Sequence, residues 1–394
     1  MKKEASFLED ALPRLDPVIA VESDERGWRG LTACGEVLEV RGVNGHRAEV
    51  PAGDFVVMRA GRPVGRRAIE PRDGVDIGAY LSRYGSAREL YRACRLDEAL
   101  AQANETVSIA PTWCARFNRS QILLACGLWP EGFAEYEACQ LEPAFQRPNT
   151  AKALAAGLRQ WRGEPIAGKR LLLLHDHGFG DTIMTLRYVS ILWQMGADVV
   201  MVMPPELQSL AQPRGPVVSD IVDADCFCTM LGLLSALEVT PENLLADAPY
   251  VTVDRDAPRL AAKVRRRIGV AWSVGKQFTD GDYPREAPLE LLVERLGGDA
   301  DLVSLQTQDR ERAEALGVQI CSFNDFEELA ALMTTLDRIV SVDTAALHLA
   351  GAIGHPCVVG LLSHWHSWRW QASWYPGVKL RRQAAPGDWA SALA

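Results

Sequence analysis

From residue 170 onward the chain alternates short apolar runs with amphipathic helical segments, and it does so in two separate series. Strands joined by single helices pair in parallel, because returning to the same edge of a sheet takes a crossover of about helix length. The first series has an apolar strand at 170–175 and a helix at 182–195, where Ile183, Leu186, Val189 and Trp193 recur three or four residues apart. It ends in a strand at 197–203, stopped by Pro204 and Pro205. The second opens on Ile268-Gly269-Val270-Ala271-Trp272 and continues as helix 288–297, strand 301–306, helix 309–316, strand 318–323, helix 325–335, strand 338–342, helix 344–353 and strand 356–362. Parallel sheets covered on both faces follow. The expected class is therefore α/β, with two Rossmann-like domains, at 151–262 and 263–394, facing a cleft.

The preceding segments read differently. Residues 1–76 suggest a small β-rich module: 38–41 and 48–50 alternate around Asn44-Gly45, a pair suited to a tight hairpin turn, and a second hairpin runs from Phe55 through Gly61 to Val64. Residues 77–150 become helical. Ala93-Cys94-Arg95-Leu96 recurs loosely as Ala125-Cys126-Gly127-Leu128, an offset of 32 residues. This is close to the tetratricopeptide helical hairpin of about 34 residues. An ordinary helical linker domain is the alternative.

Composition narrows the partners. With 48% hydrophobic and 24% charged residues in 394, the chain is neither disordered nor fibrous. Fifty-one acidic against 42 basic side chains give a net charge of −9, and the densest basic run, Arg265-Arg266-Arg267, leads straight into an apolar strand. Nucleic acid is not expected. No stretch near the N-terminus resembles a signal peptide, and no apolar run approaches the roughly 18 residues of a membrane span. The longest, 347–362, holds His348 and His355 and splits at Gly354, so it reads as buried core. Nine cysteines without a C-x-x-C pair suggest reduced thiols in a cytoplasm. Two His pairs, His175/His177 and His364/His366, would project to one face if they lay on strands, but no acidic or thiol ligand accompanies them at metal spacing. No metal or cofactor is expected.

Four segments carry chemistry. In His175-Asp176-His177-Gly178-Phe179-Gly180-Asp181-Thr182 a strand gives way to a glycine loop and a helix start, with Gly178 and Gly180 allowing close backbone approach to a ligand. As a dinucleotide fingerprint it fails: Ile183 stands at the third glycine position, and no acid follows the next strand. Asp181 has two readings, a general base at the cleft mouth or an N-cap. In the second segment, Ser341-Val342-Asp343-Thr344-Ala345, another strand runs into a helix whose first N–H groups suit a diphosphate. Asp343 and Thr344 could equally cap that helix, and His348 could be packed. The third, Trp272-Ser273-Val274-Gly275-Lys276, offers a cation on a loop beside Thr344. The fourth is aromatic, with Trp365, Trp368, Arg369, Trp370, Trp374 and Tyr375 close together, suited to packing the C-terminal tail or to stacking on a sugar.

Taken in order, these residues resemble bacterial tetratricopeptide-repeat glycosyltransferases whose catalytic part is similar to the ADP-heptose heptosyltransferases, glycosyltransferase family 9. The resemblance runs through Asn118-Arg119-Ser120, Glu131-Gly132-Phe133, Trp161-Arg162-Gly163-Glu164, Gly178 to Thr182 and Arg187-Tyr188. It resumes at Gly269 to Ser273, Arg285, Leu305-Gln306, Ser341 to Thr344, His348 to Ala352, Trp368-Arg369-Trp370, Trp374-Tyr375-Pro376 and Gly387-Asp388-Trp389. It covers roughly 85–394 and leaves the β-rich module outside.

The resemblance implies a GT-B fold with a nucleotide-diphosphate sugar held mainly by the C-terminal domain, and inverting transfer without a metal. It places Asp181 as the base, with His177 beside it where such enzymes have glutamine. Ser273, Lys276, Thr344, Ala345 and His348 fall at the diphosphate, and Gln306, Asp343, Trp368 and Arg369 at the nucleotide or sugar. A peptide or protein acceptor fits the helical repeats, and a homo-oligomer stays open. Two further readings are an inactive transferase-like scaffold that binds a partner through its helices, and a heptosyltransferase acting on a lipopolysaccharide core.

Overall fold

A computed structural model describes residues 18–24, 27–41, 55–59, 62–67, 72, 75–143, 145–258, 260, 265–274 and 285–394. The expected turns at Asn44-Gly45 and Gly61 lie outside these residues, as does Lys276. The chain divides into two units, Met1–Cys126 with Ala134–Phe145, and Gly127–Phe133 with Gln146–Ala394.

In the first unit β1 (Val18–Asp24), β2 (Gly27–Thr32) and β3 (Val37–Arg41) form an antiparallel meander, and β4 (Phe55–Arg59) pairs with β5 (Arg62–Arg67) as a separate ribbon. Helices follow at Ile77–Arg92, Leu96–Ile109 and Trp113–Ala125. Asp76 caps the first by accepting from Ala79 N, and Thr112 caps the third by accepting from Ala115 N. Meander and helices share one core, in which Ile19, Ala20 and Leu31 pack with Ile77, Tyr80, Ala110 and Ala115. A small β-sheet has too little apolar surface to stand alone, and here the helices cover its face.

The second unit holds two five-stranded sheets, both parallel throughout. The first has the order β6 (Arg159–Gln160), β10 (Cys226–Thr229), β7 (Arg170–Leu174), β8 (Asp198–Val202), β9 (Val217–Val218). The second has the order β12 (Ala300–Ser304), β11 (Arg266–Ala271), β13 (Arg338–Val342), β14 (Val358–Leu362), β15 (Val378–Arg382). Leu171 to Leu174 are fully buried, as strands covered on both faces require. This is the α/β class with parallel sheets read from the sequence.

Three details depart from that reading. The strand expected at 318–323 is only an isolated bridge from Gln319 to Val303, because the pairing stops before Asp325 caps the helix Phe326–Thr334. The helix expected at 182–195 begins earlier, as Phe179–Thr185, and tightens into a 3-10 turn at Leu186–Tyr188 before Val189–Gln194. There Thr185 Oγ1 donates back to Asp181 O at 2.8 Å, a bond that competes with regular helix geometry. The strands β10 and β15 were not foreseen. One is four residues long, and the other, Val-Lys-Leu-Arg-Arg, carries the charges of an exposed edge.

Candidate active site

In an open parallel sheet the ligand crevice lies outside the carboxyl ends of the strands where the chain reverses its direction of winding. In the second sheet that point falls between β11 and β13, since β12 lies to one side of β11 and β13 to the other. The strand ends there are Trp272-Ser273 and Asp343-Thr344. In the first sheet the equivalent point lies between β7 and β10, so the loop after β7, His175 to Gly178, stands at its crevice. The topology thus brings three of the four sequence segments to functional edges.

Thr344 is the N-cap of the helix Ala345–Ala352, yet its side chain accepts no backbone N–H from the first turn. Its Oγ1 lies 3.2 Å from Ser341 Oγ instead. The first N–H groups of this helix are therefore available to an anion, and Thr344 and Ala345 are both partly exposed. Beside them, Arg285 Nη1 lies 3.6 Å from Asp343 Oδ2 and donates to Asp343 O at 3.4 Å. Gln306 fixes the adjoining strand end. Its Oε1 accepts from Trp272 N at 3.0 Å and Ser273 N at 3.1 Å, and its Nε2 donates to Ser273 Oγ at 2.8 Å. The amide expected to touch nucleotide or sugar thus shapes the loop that presents Ser273.

The loop after β7 meets the same helix directly. A Cβ added to Gly180 would lie 2.7 Å from His348 Cδ2 and 3.5 Å from Ala345 Cα, so only glycine allows this approach. The N-cap of Phe179–Thr185 is Gly178, without a side-chain cap bond, and the capping reading of Asp181 falls away. Asp181 is 8% exposed and forms a two-point ion pair with Arg369: Nε donates to Oδ1 at 2.5 Å, and Nη2 to Oδ2 at 3.0 Å. Burial pushes this carboxyl up, but Arg369 outweighs it by charge and hydrogen bond and holds the group at about 2. Arg369 therefore faces the carboxylate that the sequence names as base, and its guanidinium also lies 4.5 Å over the Trp368 ring.

His177 and His348 are neutral near pH 7. Burial lowers His177 to about 4 against the opposing charge of Asp181, well below the 6.5 at which it would share a proton at physiological pH. His348 is likewise lowered to about 4 by burial. It is 2% exposed, stacks on Trp370 at 4.5 Å, and shares a 3.0 Å hydrogen bond from Nδ1 with the Tyr375 hydroxyl. His348, expected at the diphosphate, packs here between the two helices. Trp368 is buried edge-on against Trp129 and Phe133.

Asp176, the other departure in the glycine loop, has a structural task. It accepts from Asn149 N at 3.0 Å and Thr150 N at 2.6 Å, and from Thr150 Oγ1, closing the N-terminus of the helix Pro148–Ala155. His175 is tied down beside it, with Nδ1 2.8 Å from Thr182 Oγ1.

Neither His pair lies on a strand, because β7 ends at Leu174 and β14 at Leu362. Among the described residues no group of three or more His, Cys, Asp or Glu is placed to hold a metal ion, and no helix is long and apolar enough to cross a membrane. All nine cysteines are free thiols.

Sequence reasoning gave no role to Arg285, Arg187 or Tyr250. Arg187 is 4% exposed, donates from Nη1 to Trp374 O at 2.9 Å and to Leu245 O, and lies 4.2 Å over the Tyr250 ring. Its signal was the Arg187-Tyr188 and Trp374-Tyr375 pairs within the resemblance, which the fold brings together.

Residues 298–372 match the sequence profile of glycosyltransferase family 9 (heptosyltransferase), which supports a glycosyltransferase. The matched stretch includes Asp343, Thr344, the helix Ala345–Ala352 and Arg369, and stops short of Asp181. Protein FlbA of Caulobacter vibrioides is 25% identical over 328 residues, covering 70% of this chain and 52% of its own length. The chain thus spans about half the length of the curated relative it matches. Among solved structures it is similar to ADP-heptose LPS heptosyltransferase II of E. coli, at 12% identity and a TM-score of 0.42, covering 57% of this chain and 93% of that one. It is similar also to the iron-containing dodecameric glycosyltransferase TibC of enterotoxigenic E. coli, at 14% identity and a TM-score of 0.41, covering 57% and 65%. A mutant O-GlcNAc transferase of Thermobaculum terrenum covers 80% of this chain and 89% of its own, at 12% identity and a TM-score of 0.32.

Proposed function

We propose that the chain transfers a sugar from a nucleotide-diphosphate donor to an acceptor hydroxyl, with inversion at the anomeric carbon and without a metal ion. The observation that carries this reading is the meeting of Gly180 with Ala345 and His348, which sets the Asp181 carboxylate close to a helix start whose N–H groups are available to an anion. In the reaction the acceptor oxygen attacks the anomeric carbon, its proton passes to Asp181, and the bond to the diphosphate breaks. The charge that develops on the leaving group is met by the N–H groups at Thr344 and Ala345, by Ser273, by Arg285, and by Lys276 on its loop. Asp343 and Gln306 hold these groups in place, while His177 lines the acceptor side as a neutral imidazole.

The acceptor class we infer is a peptide or protein received by the helices of residues 77–150, read as tetratricopeptide-like, in a cytoplasmic protein able to form homo-oligomers. Transfer of heptose to a lipopolysaccharide core stands behind it, because a net charge of −9 disfavours an anionic membrane surface.

Calorimetry with UDP, GDP and ADP on the full chain tests donor binding, followed by transfer assays with Asp181→Ala. Transfer should vanish while nucleotide binding stays within a few-fold of the parent; activity surviving at parental levels would move the base elsewhere. One observation favours a second reading, that of an inactive scaffold: the Arg369 ion pair leaves Asp181 a weak base as it stands. Absence of binding to any of the three nucleotides would decide for it.

A further inference from the structure

The far edge of the first sheet carries a cavity of about 450 Å³, lined by Ser190, Trp193, Arg214, Tyr250 and Val251 among others. Its Trp193 end is remote in the chain from Asp181, while the Tyr250 hydroxyl at its other end donates to Ile183 O at 3.0 Å. Trp193 stands twelve residues beyond Asp181 on the helical run that opens at Phe179, about 18 Å at 1.5 Å per residue.

Two features of this cavity ask for a ligand. Trp193 is 40% exposed yet held rigid: its Nε1 donates to Arg214 O at 2.9 Å, and its ring lies on Gly215, where an added Cβ would sit 2.8 Å away. An exposed indole fixed in this way offers one flat apolar face. The second feature is unbalanced charge. Arg214 and the buried Arg187 flank the Tyr250 ring at 5.8 and 4.2 Å. Their hydrogen bonds go to carbonyls, Tyr250 O for Arg214 and Met184, Leu245 and Trp374 O for Arg187. Among the described residues neither guanidinium has a carboxylate within ion-pair distance. Half-buried cations are ordinarily paired, because taking a charge out of water is costly.

We propose that this cavity binds a sugar acid, with the apolar face of the pyranose ring on Trp193 and the carboxylate on the Arg214 guanidinium. The volume suits a monosaccharide or disaccharide. A carboxylate matches the planar fork of one arginine, whereas a phosphate dianion calls for more donors than Arg214 presents to the cavity. The site is independent of the transferase reading.

Calorimetry on the full chain with D-glucuronate, D-glucose and glucose 6-phosphate tests it without any mutation. Glucuronate should bind about tenfold more tightly than glucose, the factor expected for about 1.4 kcal/mol of charge-assisted contact. Arg214→Gln should bring the two sugars within about twofold, and Trp193→Ala should weaken both about tenfold. Asp181→Asn should leave glucuronate binding unchanged, which separates this cavity from the proposed donor site. Equal affinity for glucuronate and glucose, no binding of either, tighter binding of glucose 6-phosphate, or loss of glucuronate binding in Asp181→Asn would each overturn the proposal.

Discussion

Replacing Arg369 by methionine removes the partner of Asp181 while keeping an unbranched stem over Trp368. The structure says what this should cost. The Asp181 carboxyl is held at about 2 rather than its usual 3.8, a difference worth about 2 kcal/mol at 1.36 kcal/mol per pH unit. Removing the cation also strands a buried carboxylate, and breaking such a pair from one side typically costs about 3–5 kcal/mol. Arg369 keeps about a quarter of its side chain in water, so the lower end of that range applies. Urea denaturation at pH 7 should therefore show Arg369→Met about 3 kcal/mol less stable than the parent. The pH dependence has a definite sign. Because the folded-state carboxyl is depressed, the stabilisation from the pair is complete above about pH 3.8 and disappears as pH falls through about 2. In Arg369→Met burial acts with its main opponent gone, the carboxyl moves up, and part of the lost stability returns as the solution is acidified. The double variant Asp181→Asn with Arg369→Met, which carries no buried charge at this point, should recover most of the deficit. A loss below about 1 kcal/mol in the single variant, or no recovery in the double, would refute a coupled buried pair.

Gly180→Ala places a methyl group 2.7 Å from a His348 ring already stacked on Trp370, so it should lower the melting temperature, with about 1–3 kcal/mol of overpacking, and reduce nucleotide binding. Gln306→Ala frees the Trp272 and Ser273 N–H groups; calorimetry should show weaker nucleotide binding with only a modest change in melting temperature. His177 and His348, both lowered to about 4 by burial, should keep their neutral-form NMR shifts from pH 8 to 6; since only the unfolded chain takes up these protons near 6.5, stability should fall as pH drops from there toward 4. Asp176→Ala should cost about 1–3 kcal/mol by uncapping Pro148–Ala155, seen as a lower urea midpoint.

What the sequence disclosed follows from periodicity. Wholly buried strands such as Leu171–Leu174 leave an unbroken apolar run, and the helices between them keep their three-and-four spacing, so the parallel class and the glycine loop could be read directly. The helix start at Thr344 was legible for the same reason, as an acid and a hydroxyl closing a strand. Strands β10 and β15 were hidden because one is too short to show a period and the other is charged along its length. The partners of each site residue were hidden for a different reason. Arg369 lies 188 positions from Asp181, and nothing local distinguishes a guanidinium that reaches a carboxylate from one that stacks on a sugar. The burial of His348 and Trp368 was hidden likewise, because it is decided by elements distant in sequence.

The helix Ala345–Ala352 is anchored at its far end as well, where the Ala352 carbonyl accepts from both Tyr250 N and Val251 N of the segment that connects the two sheets. A rod of eight residues, about 12 Å long, therefore joins the proposed phosphate end to that connecting strap. Tilting or sliding the rod strains the strap, and tension on the strap is felt where the phosphates would rest. On the proposed function, a diphosphate at the first turn and the strap at the last would be held by one and the same rigid helix.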